Sequence, residues 1–209
     1  MARDIYIVRH GNTFDKGDTV TRVGARTDLP LSMSGRLQAE ALAKHFADTD
    51  IRFASAAAGP LKRTLETART ILAAQSAAPS LDVAEFLREI DYGPDENRPE
   101  PEVVDRIGQA ALDAWEKDAV APPGWIVDPE RLKRDWISYF QRLAGSDTAD
   151  PALVVTSNGV ARFALLAARE TSDMKDGVAD DLKLKTGAYG IFHITDDGGL
   201  ILHRWNIRP

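Results

Sequence analysis

The chain opens on an unbroken apolar run, Ile5-Tyr6-Ile7-Val8, that stops at Arg9, His10 and Gly11. A short run of β-formers without alternation reads as a strand buried on both faces. Periodicity vanishes over residues 12–33, where Asn12, Gly17, Asp18, Gly24, Asp28 and Pro30 predict a loop, basic in its middle at Arg22 and Arg26. It returns as a helical stripe of Leu37, Ala41, Leu42 and His45-Phe46, with Ser32 or Ser34 as the N-cap. Asp50–Ser55 reads as a second strand, Ala56–Pro60 as a small-residue turn, and Leu61–Ala74 as a helix with Leu61, Leu65, Ala68, Ile71 and Leu72 inward. Leu81–Leu87 predicts a third strand that runs into Arg88-Glu89-Ile90-Asp91-Tyr92-Gly93.

Prolines then punctuate residues 94–150, which read as a helical insertion or lid. Two helices fit it. One spans about Glu100–Asp118, with Val103, Ile107, Ala111 and Trp115 on one stripe; the other spans about Pro129–Ala144, with Leu132, Trp136, Phe140 and Leu143. Trp115 and Trp136 read as packing residues, while Trp125, in the Pro-Gly loop between the helices, is the tryptophan placed to touch a substrate. Pro151 to Ser157 form another apolar strand, ending at Asn158-Gly159, and Val160–Glu170 a helix. Alternating segments on either side of Asp196-Asp197-Gly198-Gly199 close the chain as a hairpin. Strands and helices in this alternation imply an α/β fold with a mostly parallel sheet flanked by helices.

Composition narrows the function. At 209 residues and 44% hydrophobic, the chain suits one domain spanning 1–209 with the insertion at about 94–150. There is no cysteine, hence no disulfide framework and no thiolate site. No leader-like segment precedes the first strand and no apolar run approaches the roughly 18–20 residues of a membrane span, so a cytoplasmic protein without a membrane partner is expected. A net charge of −6 argues against nucleic acid or anionic lipid as partner. An anion site in such a protein has to come from locally clustered arginines.

Ligands of parallel sheets collect at the carboxyl ends of strands. Arg9-His10, the Ser55–Arg63 segment, Glu89 and Asn158-Gly159 all follow predicted strands, so one site could gather them. Arg63 falls in the first turn of a helix, where it would join an anion site or simply face solvent. A carboxyl at a strand exit, Glu89 or Asp91, could act as a general acid or pair with Arg88. His45 reads as a surface residue, and His193 and His203 as structural ones.

The segments Ile7-Val-Arg9-His10-Gly11 and Thr27-Asp28-Leu-Pro-Leu-Ser-x-x-Gly35-x-x-Gln38-Ala39 resemble the histidine phosphatase superfamily, the phosphoglycerate-mutase-like fold. Ser55-Ala-Ala-Ala-Gly-Pro-Leu-Lys-Arg63-Thr64, Leu87-Arg-Glu89-Ile-Asp91-Tyr-Gly93 and Val154-Val-Thr-Ser-Asn158-Gly159 look like its remaining motifs, in order and at matching spacing. The resemblance implies three layers: a mostly parallel sheet, helices on both faces and a helical insertion. It implies a phosphatase of small phosphomonoesters that needs neither cofactor nor metal. His10 would be the nucleophile that becomes phosphohistidine, Arg9 and Arg63 would hold phosphoryl oxygens, and Glu89 would be the acid, with Asp91 as fallback. Asn12, Lys16, Arg26 and Gly159 join the implied binding set.

One position departs from the pattern. Asn158 stands where the family has a second histidine. Its amide can copy the donor but not the charge, a loss of about 1–2 kcal/mol or roughly tenfold in rate. Lys16, Arg22 or Arg26 could restore some of that charge. A mutase-type transfer, or a catalytically weak phosphate-binding or regulatory module, are the other readings. The hairpin could also pair across a two-fold axis into a homodimer.

Overall fold

A computed structural model describes residues 2–171 and 181–209. Its strands are β1 (Arg3–Arg9), β2 (Ser55–Ala58), β3 (Leu81–Val83), β4 (Ala152–Thr156), β5 (Tyr189–Ile194) and β6 (Leu200–Ile207). Its helices are α1 (Met33–Asp48), α2 (Lys62–Ala73), α3 (Glu100–Ile107), α4 (Gln109–Asp118), α5 (Pro129–Ala144) and α6 (Asn158–Thr171). The strands form one sheet in the order β3-β2-β4-β1-β5-β6. β3, β2, β4 and β1 run parallel, and the closing hairpin adds β5 and β6 antiparallel.

The sheet is covered on both faces. Ile5, Ile7, Ala57, Ala152 and Val154 point to one side and pack with Trp115, Trp136, Phe140 and Phe163 of α4, α5 and α6. Tyr6, Val8, Ala56, Ala58, Leu153 and Val155 point to the other, against Leu42 and Phe46 of α1 and Ala68 and Ile71 of α2. Every residue of β4 is buried, which is why its sequence shows no polar alternation. Trp136 is wholly buried and donates its indole N–H to the Val160 carbonyl at 3.0 Å, fastening α5 to α6. Truncating such a residue to alanine costs about 3–5 kcal/mol. No described helix is long and apolar enough to cross a membrane.

Several element boundaries differ from expectation for identifiable reasons. The second strand is Ser55–Ala58 rather than Asp50–Ser55, so the expected small-residue turn is the strand itself. Alanine is a weak strand former, but β2 lies between β3 and β4 with a helix close above, and tertiary packing overrides propensity. β3 stops at Val83, and Glu85–Leu87 turn as a 3₁₀ helix that delivers Glu89. The helix expected over Glu100–Asp118 is two helices, broken at Gly108, whose φ of 80° leaves the helical region. On α1 the buried stripe is Gly35, Ala39, Leu42, Ala43 and Phe46, leaving Leu37 exposed. Ser32 is its N-cap, accepting from the Gly35 N–H.

Candidate active site

The register of the parallel strands brings the polar residues together. Arg9 pairs with Thr156 and Ala58 with Val155, so β1, β2 and β4 end side by side. His10 leaves the end of β1 with its backbone N–H on the Thr156 carbonyl at 3.1 Å. The next residue has to be glycine, since a Cβ on Gly11 would lie 2.2 Å from the Gly35 carbonyl oxygen at the start of α1.

The His10 ring is held in one tautomer. Its Nδ1 lies 2.7 Å from the Gly11 carbonyl oxygen, which only accepts, so Nδ1 carries the proton. Nε2 therefore keeps its lone pair, and it accepts the Nε–H of Arg63 at 3.2 Å. Burial, then the positive charges of Arg63 and Arg9, hold His10 well below the usual histidine value. The imidazole is neutral near pH 7.

The two arginines are placed differently. Arg63, in the first turn of α2, is wholly buried. It donates from Nη1 to the Thr27 carbonyl at 2.9 Å and from Nη2 to the Gly24 and Val23 carbonyls at 3.2 and 3.5 Å. Only its Nε faces His10, and it does not line the open cavity. Both Nη groups of Arg63 thus grip loop carbonyls and point away from the cavity. Arg9 does line the cavity, donates from Nη1 to the Leu184 carbonyl at 2.8 Å, and has a buried Nε with no partner among the described residues. Burial lowers both guanidinium values, and the charge of Glu89 opposes that.

Glu89 is 5% exposed and also lines the cavity. One oxygen accepts the Ile90 N–H at 2.9 Å, and the other accepts the Gly159 N–H of α6 at 3.2 Å. A Cβ at position 159 would lie 2.3 Å from Glu89 Oε1, so this glycine is what admits the carboxylate. Gly159 enters the site through its backbone and its missing side chain. Asn158 accepts the Leu184 N–H on Oδ1 at 2.8 Å, which turns its Nδ2 donors toward the cavity. The peptide groups of Leu184, a residue no motif marks, thereby orient both Arg9 and Asn158.

The cavity holds about 630 Å³. Asn12 lines it, with its amide donating to Ser34 Oγ at 3.1 Å, and Lys16 lines its exposed rim. The outer wall carries paired charges. Arg22 donates to Glu100 at 2.6 Å and lies over the Trp125 and Tyr92 rings, 4.9 and 5.3 Å from their centroids. Lys183 sits 3.9 Å from Glu116, and Glu116 lies 3.6 Å from the wholly buried Arg162. Glu116, Arg162 and Lys183 have no motif around them, and only the fold reveals their position.

Three expectations need correcting. Arg26 does not line the cavity; it pairs with Asp91 at 3.0 Å and donates to the Gly93 carbonyl at 2.6 Å. That pairing also engages Asp91, which lies outside the cavity lining. Trp125 is 7% exposed, donates to Asp95 at 2.6 Å and packs edge-on against Tyr92, so it supports the wall from behind. His45 is half-buried with its Nε2 2.8 Å from the Tyr189 hydroxyl, and His193 meets Asp4 at 2.8 Å. Among the described residues, no group of three or more His, Asp or Glu side chains is arranged to hold a metal ion.

Comparison with known proteins agrees with this fold. The chain is 23% identical over 185 residues, 87% of its length and 88% of the relative's, to the 2,3-bisphosphoglycerate-dependent phosphoglycerate mutase of Bartonella henselae. It shares its fold with a mycobacterial glucosyl-3-phosphoglycerate phosphatase, at a TM-score of 0.77 and 20% identity, covering 99% of this chain and 100% of that one. The phosphoserine phosphatase of Entamoeba histolytica, solved with 3-phosphoglyceric acid, superposes at a TM-score of 0.73 and 17% identity, covering 98% and 97% of the two chains. The profile of the histidine phosphatase superfamily (branch 1) matches residues 5–208, and the chain belongs to that superfamily.

Proposed function

We propose that this protein is a phosphatase of small phosphomonoesters that works without a metal through a phosphohistidine on His10. The observation that carries the reading is the state of that ring: neutral, proton fixed on Nδ1, lone pair on Nε2. Nε2 attacks phosphorus as the ester P–O bond breaks, and Glu89 gives its proton to the leaving oxygen. A water that surrenders a proton to Glu89 then attacks phosphorus, the N–P bond breaks, and phosphate leaves. Arg9, through the guanidinium N–H groups that reach the cavity, and Asn158, through Nδ2, hold the non-bridging oxygens. Arg63 Nε–H moves its hydrogen bond from Nε2 to the phosphoryl group as the lone pair is used.

The solved phosphatases of the same fold support hydrolysis, and the mutase relative supports transfer between substrate oxygens. The outer wall favours hydrolysis. A bisphosphorylated substrate brings a second strongly anionic group, and Arg22 and Lys183 already face Glu100 and Glu116. The test is phosphate release from p-nitrophenyl phosphate and a panel of small phosphomonoesters, with chelator, for the wild type and His10→Ala. Turnover that survives chelator and disappears in His10→Ala supports the reading. Absence of turnover on the whole panel points to a phosphate-binding module, and turnover retained in His10→Ala contradicts the assigned nucleophile.

A further inference from the structure

Arg63 can aim its Nε at His10 only while the loop at 23–27 holds the other end of its guanidinium, because its Nη groups are spent on the carbonyls of Val23, Gly24 and Thr27. One side chain, Glu96, takes three donors from that loop. Glu96 Oε1 accepts the backbone N–H of Gly24 at 3.0 Å, the backbone N–H of Arg26 at 3.0 Å and the hydroxyl of Thr27 at 2.8 Å. Its Oε2 accepts the Tyr92 N–H at 3.2 Å, in the turn that follows Glu89. A Cβ on Gly24 would lie 2.3 Å from Glu96 Oε2, so the loop passes the carboxylate too closely for any side chain there.

We infer that Glu96 is a positioning residue of the active site: by taking donors from the 24–27 loop and the 90–92 turn together, it fixes the carbonyls that aim Arg63 at His10. It touches no reacting atom. The inference rests on His10 as the nucleophile for its catalytic consequence, but its geometric content stands on Arg63 and His10 alone. Glu96→Ala releases every one of these donors and leaves the loop tied to the turn by the Ala25 N–H on the Ile90 carbonyl at 2.9 Å and by Arg26 on Asp91, so the acceptors of the guanidinium are held less firmly. Glu96→Gln keeps one carbonyl-type acceptor for the loop and turns an amide N–H₂ toward the Tyr92 N–H, donor against donor, so it restores part of the function.

The charged groups acting on His10 are Arg63 from α2 and Arg9 from β1, both of which disfavour the imidazolium. If Arg63 swings away, one of the two is lost and the His10 protonation midpoint rises toward the ordinary 6.5 or so. The experiment is NMR titration of the histidine rings in the wild type, Glu96→Ala, Glu96→Gln and Asp95→Asn, alongside kcat and KM. Asp95 is the neighbouring carboxylate, but it serves Trp125 and Arg106, away from the 24–27 loop. The expected result is a His10 midpoint raised most in Glu96→Ala, less in Glu96→Gln and unchanged in Asp95→Asn. kcat should fall by up to about 10²-fold in Glu96→Ala, with KM moving less. A His10 midpoint unmoved in Glu96→Ala, or moved equally in Asp95→Asn, overturns the inference. Absence of wild-type turnover would count against the phosphatase reading and leave the titration result intact.

Discussion

At the floor of the cavity His10 and Glu89 are each 5% exposed, Arg63 lies wholly buried beneath them, and each of the three is tied to a backbone group. At the outer wall Glu100 and Glu116 have side chains 53 and 39% exposed; Glu116 meets the half-exposed Lys183, and Glu100 meets Arg22, whose side chain is 13% exposed against Tyr92 and Trp125. Backbone partners cannot be mutated away or swing on a flexible stem, so the floor is the more firmly fixed of the two regions. An exposed pair such as Lys183 with Glu116 is worth about 0–1 kcal/mol and rearranges easily. The difference places the proposed chemistry in the floor and the freedom to accept different leaving groups in the wall.

Substitutions at the two regions should therefore differ in size and in kind. Arg63→Lys keeps the charge but loses the planar fork that spans three carbonyls and His10. It should lower kcat by about 10²–10³ in steady-state assays, and a loss below fivefold would show that the floor is not held as described. Gly159→Ala puts a methyl group against Glu89 Oε1 and should lower kcat by about 10–10², the span of a misplaced acid–base group, while changing KM little.

Asn158→His tests the boundary between floor and wall. A histidine there can add a charged donor beside Arg9, and kcat/KM should rise by roughly tenfold toward the acid end of the profile, where that histidine is protonated. Glu100→Gln, the wall substitution, releases Arg22 from its pair. It should lower KM for substrates with an anionic leaving group by up to about fivefold and leave kcat unchanged. A kcat effect of Glu100→Gln comparable to that of Arg63→Lys would erase the distinction.

The pH dependence has a definite sign. His10 is depressed below its unfolded value of about 6.5, so below that pH the unfolded chain binds the proton that the folded site refuses. Its contribution to stability is thus lost as pH falls from about 6.5 toward the folded value, while the nucleophile itself stays neutral over that window. Thermal unfolding of the wild type and His10→Ala across acid pH should show a steeper loss for the wild type.

Much of this architecture was legible in the chain. β1 and β4 announced themselves as uninterrupted apolar runs, and α5 spans Pro129–Ala144 as its apolar stripe and proline predicted. The placement of His10, Arg9, Glu89 and Asn158 around one cavity followed from strand exits in a parallel sheet. What stayed hidden is carried by backbone atoms or by distant chain segments. The Leu184 peptide groups and the carbonyls of 23–27 have no side-chain signature, and they decide where Arg9, Asn158 and Arg63 point. β2 was hidden because three alanines signal little by themselves and become a strand only between β3 and β4. Arg26 and Trp125 looked available for a ligand because a loop sequence does not reveal that Asp91 and Asp95 lie next to them.

The central claim is that phosphorus passes through the Nε2 of His10. Rapid mixing with p-nitrophenyl phosphate, whose leaving oxygen needs little protonation, an alkaline quench and peptide mass analysis would test it directly, with Glu89→Gln included to slow hydrolysis of the intermediate more than its formation. The account predicts a phosphorylated peptide containing His10, more abundant in Glu89→Gln and absent in His10→Ala. Turnover without phosphate on that peptide, or with phosphate on a different residue, would contradict it.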